Sequence, residues 1–170
     1  MLIGASHLAA YVARLAIPLG YTVIVCDPRE EHQTVWNVSR TEFSREVPDD
    51  LLLRIGVDCS TVIVTLTHDP KLDDTALLEP LTSDAFYIGA IGSRANSERH
   101  RVRLRLFDLS EQQIARLHTP IGFYVGVQNP PEVTVSIVAE MTAIRRNVPV
   151  LQRHPMRATR KTDAMSVADD

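Results

Sequence analysis

The feature that most limits what this chain can fold into lies between its first residue and Asp27. A short apolar stretch, Met1-Leu2-Ile3, runs into Gly4-Ala5-Ser6-His7-Leu8-Ala9, and a second apolar run, Tyr21-Thr22-Val23-Ile24-Val25-Cys26, is closed by Asp27. Strand, glycine turn, helix and a strand ending in an acid is the order of a nucleotide-binding βαβ unit, whose intact fingerprint reads G-x-G-x-x-G. The first glycine of that fingerprint makes the tight turn, the second lets the backbone reach a phosphate, and the third packs helix against strand. Gly4 keeps the turn, and Ala9 is small enough for the packing role. Ser6 stands where a phosphate should press closest. It either holds the anion back or offers it a hydroxyl, while the helix N-terminus still presents N–H groups and the positive end of its dipole. Asp27 stands where an acid takes a ribose hydroxyl; before Pro28 it can equally cap a turn.

A chain of 170 residues is one domain by length, able to bury about 70% of its unfolded surface without staples. Its two cysteines, Cys26 and Cys59, lie on or beside apolar runs without metal spacing, which reads as buried reduced thiols in a cytoplasmic protein. No run has the length of a membrane span, and the start lacks the order of a signal peptide. A net charge of -3 implies no general affinity for nucleic acid. From Asn147 the apolar period is lost and Pro, Arg, Thr and Asp dominate. Residues 147–170 therefore read as a basic, mobile tail with solvated charge, following an ordered domain over 1–146.

Within that domain, apolar strands alternate with helical segments, which predicts an α/β fold: a Rossmann-like, doubly wound parallel sheet in a single domain. The first helix carries Leu8, Val12, Leu15, Ala16 and Leu19 at helical spacing and ends at Gly20. Residues 32–46 are polar and carry no clear element; a short helix follows over Pro48 to Ile55. Strands are predicted at 61–66, 86–89 and 123–126, and a helix begins near Asp73. Ser93 reads as the N-cap of a basic helix reaching Leu106, whose Arg99, Arg101, Arg103 and Arg105 read as solvated. Ser110 with Gln113 forms a capping box, and a last helix after Pro130 and Pro131 buries Val133, Ile137, Val138, Met141 and Ile144. That apolar helix also suggests a homodimer.

Ligands of open α/β sheets bind beyond the carboxyl ends of the strands. Three loops should meet there: Gly4 to His7, Thr67-His68-Asp69-Pro70, and Gly89-Ala90-Ile91-Gly92-Ser93-Arg94. The last is a second anion cradle or an ordinary turn before a capped helix, and Arg94 is the arginine at its ligand end. His68 and His7 read as residues lining the site rather than as bases. Asp69 before Pro70 is a site residue or a cap. The six histidines and two cysteines form no ligand cluster, so no metal site and no catalytic residue is expected; no nucleophile elbow or triad is present.

Gly4-Ala5-Ser6-His7-Leu8-Ala9, Thr67-His68-Asp69-Pro70-Lys71-Leu72-Asp73, Tyr87-Ile88-Gly89-Ala90-Ile91-Gly92-Ser93-Arg94, Pro120-Ile121-Gly122, Pro131-Glu132 and Ser136-Ile137 together resemble the Rossmann domain of the XdhC/CoxI family, from Met1 to about Arg146. The resemblance implies a maturation factor for molybdenum hydroxylases of the xanthine dehydrogenase and carbon monoxide dehydrogenase type. Such a factor would bind molybdenum cofactor, support its sulfuration with a cysteine desulfurase, and pass it to the apo xanthine dehydrogenase or a related apoenzyme, as a chaperone rather than a catalyst. Molybdenum cofactor is a pterin with a phosphate, in some forms extended by a nucleotide. The implied site has Gly4, Ser6, His7 and Leu8 at the phosphate, Asp27 on a ribose or pterin group, and Thr67, His68, Asp69, Gly89, Gly92, Ser93 and Arg94 on the opposite wall.

The chain departs from the family pattern at Ser6, which replaces a glycine, and at Phe123 and Tyr124, which stand where an acid often follows Pro-Ile-Gly. Family members also carry an N-terminal domain with a cysteine motif; the chain as read opens inside the first strand, as a split member or one lacking its upstream portion would. Two other readings of the residues stay open. One is an NAD(P)-binding oxidoreductase, for which little chain remains to build a substrate pocket. The other is a scaffold domain that has lost ligand binding, which Ser6 favours.

Overall fold

A computed structural model describes residues 1–67 and 69–149. His68 and the part of the expected tail from residue 150 onward lie outside the described residues. In chain order the elements are β1 (Leu2–Ile3), α1 (His7–Ala16), β2 (Val23–Cys26), α2 (Glu30–Val35), β3 (Thr41–Ser44), α3 (Pro48–Ile55), β4 (Val62–Thr65), α4 (Pro70–Thr82), β5 (Tyr87–Ala90), α5 (Arg94–Leu104), α6 (Glu111–Ala115), β6 (Leu117–His118) and α7 (Pro130–Arg145).

The six strands are parallel and ordered 3-2-1-4-5-6, the Rossmann arrangement, so strand order reverses between β1 and β4. Leu2 lies between Val25 and Val64 in register. The period of two along each strand shares its side chains between two faces. Leu2, Val62 and Val64 pack with Ala9, Val12, Ala13 and Ala16 of α1 and Ile137 and Met141 of α7. Ile3, Ile63 and Ile88 pack on the other face with Leu52, Ala76, Leu77, Leu81, Leu104 and Ile114. The β-branched run over β4 has this use: every residue of that strand is buried.

Several expectations change. The buried stripe of α1 is made of small residues, Ala9, Ala10, Ala13 and Ala16 with Val12, while Leu19 is 45% exposed. After Ala16 the chain tightens into a 3-10 turn, and three residues per turn carry Leu19 off the stripe. The polar region contains β3, an edge strand paired on one side to β2, so it needs no continuous apolar run. Residues 123–126 form a loop rather than a strand. The sheet edge is instead Leu117–His118, two residues separated from α6 only by its C-cap, Arg116. Cys26 is buried but Cys59 is exposed.

The arginines of α5 also do more than face water. Arg103 forks onto Asp74 of α4, Arg101 donates to the Thr119 carbonyl at 3.0 Å, and Arg105 pairs with Glu111 at 2.6 Å. Ser93 caps α5, and the Ser110–Gln113 capping box is formed. The last helix uses its apolar face within the chain, against α1, and includes a fully buried acid, Glu140.

Candidate functional site

The carboxyl edge of the sheet gathers the loops named from the sequence. Gly4 follows β1 at φ +91°, and a Cβ there would lie 2.5 Å from Thr67 Cγ2 and 3.0 Å from Thr67 N. Glycine is therefore required where the first loop crosses the end of β4. Ser6 ends the turn at φ -81°, which any residue adopts, and its Oγ accepts the Ala9 N–H at 3.2 Å. The serine in place of the second glycine is thus the N-cap of α1.

Asp27 follows β2 with no side-chain exposure. Its Oδ2 accepts the Ala5 N–H at 2.8 Å, Arg29 Nη2 at 2.8 Å and lies 2.7 Å from His32 Nδ1; its Oδ1 accepts Arg29 Nε at 2.8 Å and Arg29 N at 3.2 Å. Burial opposes the charge, but these hydrogen bonds outweigh it and hold the carboxyl well below the usual range. Asp27 braces the first loop through Ala5.

On the far side of β1, Thr67 is buried, donates to Asp73 at 2.8 Å and accepts the Asp69 N–H at 3.0 Å. The Asp69 carbonyl takes the Asp73 N–H at 3.0 Å, so Asp69 opens α4 as a cap, one of the two roles read for it. Gly89 lies within β5 rather than in a cradle. A Cβ there would meet Ile121 Cδ1 at 2.5 Å and Tyr87 Cε1 at 2.9 Å, so its role is to admit the Pro120-Ile121-Gly122 turn against the sheet. Gly92 leaves β5 with ordinary room for a side chain, Ser93 caps α5, and Arg94 lies with its guanidinium carbon 5.6 Å from the centre of the Tyr124 ring.

Two neighbouring cavities open between these loops. One, of about 340 Å³, is lined by Ser6, His7, Leu8, Leu66, Ile91 and the 128–130 segment. The other, of about 470 Å³, is lined by Arg94, the 120–128 loop and Ser136. Gln128 and Val133 belong to both, so the two adjoin, one beside the start of α1 and the other beside the start of α5. The lining of the latter is largely apolar, with Phe123 and Tyr124 beside Arg94. The structure places Ser6, His7 and Leu8 on the first of these cavities and Arg94 on the second, with the 123–130 segment, which the sequence did not single out, as their roof. Gly122 at φ +88° and Gly126 at φ +74°, followed by Asn129-Pro130-Pro131 at the helix start, are the turn signals that mark that segment as loop.

Glu140 fixes the wall behind the roof. Its Oε2 accepts the Gly122 N–H at 2.8 Å and the Tyr87 hydroxyl at 2.6 Å, and its Oε1 lies 3.4 Å from His118 Nδ1. The His118 ring stacks on Tyr87 at 4.7 Å. Burial opposes the charge on Glu140, and the hydrogen bonds from His118, Tyr87 and Gly122 outweigh it, keeping its pKa below the usual value. A larger cavity, about 730 Å³, lies at the amino edge beside Met1, Gly20 and Cys59, away from these loops. Among the described residues no group of three His, Cys, Asp or Glu side chains could hold a metal, and no helix is long and apolar enough to cross a membrane.

Residues 1–141 match the XdhC Rossmann domain. The chain is 29% identical over 153 residues to an uncharacterized Escherichia coli protein, YqeB, covering 88% of this chain and 28% of that protein. It is 26% identical over 152 residues to a Bacillus subtilis protein named as a probable xanthine dehydrogenase component, covering 89% and 44%. It is also 22% identical over 89 residues to the Escherichia coli molybdenum cofactor insertion chaperone PaoD, covering 52% and 28%. A crystal structure described as a xanthine dehydrogenase from Bacillus halodurans shares the fold, with a TM-score of 0.72 at 22% identity over 91% of this chain and 44% of that one. The chain spans less than half the length of each of these proteins.

Proposed function

The chain belongs to the family of the XdhC Rossmann domain, and on that premise we propose that it binds molybdenum cofactor and assists its sulfuration and insertion into a molybdenum hydroxylase, with a cysteine desulfurase and the apoenzyme as partners. The observation that carries this reading is the pair of adjoining cavities beside the starts of α1 and α5, apolar along their shared roof and cationic at Arg94. A planar ring ending in a phosphate needs that combination: aromatic and aliphatic walls for the ring, helix N-termini and a guanidinium for the anion. The residues present fit the group. The phosphate belongs near Ser6, His7 and Leu8, at the first turn of α1, or near Ser93 and Arg94. Phe123, Tyr124 and Ile121 would cover the ring and exclude water. Gly4 and Asp27 shape the first loop from behind. When bound, the cofactor supplies the redox-active molybdenum and its sulfur ligands; this chain's residues hold and orient it, and none is cast as an acid, base or nucleophile.

The resemblance to a cofactor-insertion chaperone supports the reading at the level of family. Ultrafiltration of the purified chain with molybdenum cofactor tests it. The chain should retain the cofactor, and Arg94→Ala should lower both retention and reconstitution of apo-dehydrogenase roughly tenfold, the loss expected for a charge-assisted hydrogen bond of about 1.5 kcal/mol. No retention by the unaltered chain would sink the proposal. Tight NAD binding with hydride transfer would assign the chain to oxidoreductases instead.

A further inference from the structure

The segment that roofs the cavity beside α5 is fastened at both ends to one helix, α7. At its start the Gly122 N–H donates to Glu140 Oε2 at 2.8 Å, and the Phe123 N–H donates to the Ser136 carbonyl at 3.3 Å. A Cβ on Gly122 would lie 2.3 Å from Ser136 Oγ, so this end is pressed against the helix. At its finish the Gln128 N–H donates to Glu132 Oε2 at 2.7 Å, and Asn129 caps the same helix. Between these two feet the fastening stops. Among the described residues Val125, Gly126 and Val127 make no backbone hydrogen bond. Gly126 stands at φ +74° with nothing within 4 Å of where a side chain would begin, so no neighbour blocks its turning. Tyr124, Val125 and Val127 line the cavity and yet remain exposed. Apolar surface left open above a largely apolar cavity gains by moving inward. Across the opening, the Tyr124 ring meets the guanidinium of Arg94 at the start of α5, 5.6 Å from carbon to ring centre.

From these contacts we infer that residues 124–127 are a strap that closes over the cavity beside α5, turning at Gly126 and latching through Tyr124 on Arg94, while α7 serves as the fixed frame. Two anchored feet, a glycine free to turn and a side-chain contact to a second element are the parts a lid needs. Closing lays Tyr124, Val125 and Val127 on the group that fills the cavity and shuts water out. Opening lets that group leave. The strap does not depend on the cofactor proposed above, because any planar anion that enters the space of about 470 Å³ beside Arg94 should close it. A failure to retain molybdenum cofactor would therefore leave the strap standing.

A thiol placed on the strap reads its position. Val125→Cys with Cys59→Ser puts the accessible thiol there, since Cys59 is exposed and Cys26 is buried. Its rate of modification by an uncharged maleimide is measured on the full chain with and without anilinonaphthalene sulfonate, a planar aromatic anion whose own fluorescence reports uptake. At saturating dye the rate should fall about tenfold or more, the change expected when the open form becomes a minor population. Adding Gly126→Val places a β-branched residue at a positive φ and stiffens the hinge, and should reduce that protection to about threefold or less. Should this variant fail to fold, Gly126→Ala applies the same restraint more mildly and should leave about fivefold. Protection that is equal in the hinge variants would mean that the dye shields a fixed roof, and would overturn the inference. No dye uptake, or uptake with an unchanged rate at the strap thiol, would overturn it as well.

Discussion

Two buried carboxylates brace the two sides of the sheet's carboxyl edge, and they do opposite things to the space around them. Asp27 is satisfied by the Ala5 N–H and by the Arg29 and His32 side chains that follow it, so the groups that stabilise it also cover it and fill the end of β2. Glu140 is satisfied from behind, by Tyr87 and the Gly122 N–H, so the groups that stabilise it fix a turn that walls the cavity of about 470 Å³ without filling it. The lesson is that a buried acid at a ligand edge is not by itself a ligand group. The direction its donors come from decides whether it closes a site or holds one open.

The comparison breaks first at Glu140. Glu140→Ala strands a buried N–H and a buried hydroxyl, and should cost about 3–5 kcal/mol in urea denaturation, with Glu140→Gln, which keeps one acceptor, near half of that. An unchanged midpoint for the alanine variant would show that the wall does not depend on this acid.

Asp27 supplies the next effect, with a pH signature. Its folded-state pKa is lowered, so its contribution to stability is fully present above the unfolded-state value of about 3.9 and is lost as the pH falls from there toward the folded value. Asp27→Asn should destabilise by about 2 kcal/mol at pH 7, and its urea midpoint should fall less than that of the unaltered chain between pH 5 and pH 3. Parallel acid profiles would mean that the carboxylate carries no such coupling.

The smallest effect is at Ser6. Ser6→Gly should cost only a few tenths of a kcal/mol, because glycine is itself a tolerable N-cap. It frees the Ala9 N–H and the backbone, so a phosphate at α1 should be held about threefold more tightly, an order-of-magnitude expectation for one neutral hydrogen bond. Weaker retention in this variant would instead make the serine hydroxyl a ligand donor.

How much of this was legible in the sequence depended on where apolar residues had to be buried. The strand-turn-helix opening, the two-faced run at β4, the helix over Pro48–Ile55 and the caps at Ser93 and Ser110 followed from periodicity and capping rules, because each is dictated within a few residues. The edge strands β3 and β6 were not legible: one is half-polar, and the other is two residues long. Residues 123–126 misled for a more informative reason. Phe123, Tyr124 and Val125 carry the pattern of a strand, yet Tyr124 and Val125 are 55% and 65% exposed, since their apolar surface lines a crevice rather than a core. The two bracing carboxylates were legible only in part. Asp27 stood at the expected position, but the donors that saturate it lie on both neighbouring segments, and Glu140 lies among apolar residues of a helix whose partners are 18 and 53 positions away.

Under the proposed function, the serine that caps α1 would set a clock as well as a shape. A donor already taken by its own helix is one a visiting phosphate has to win at each arrival, and differences of this kind between related binding sites fall mainly on the rate of departure. Every 1.4 kcal/mol withheld from the complex shortens its dwell about tenfold. Under the proposed function, in which the domain hands its cargo onward, fast release at the first turn of α1 would be a working property, and Ser6 the residue that sets it.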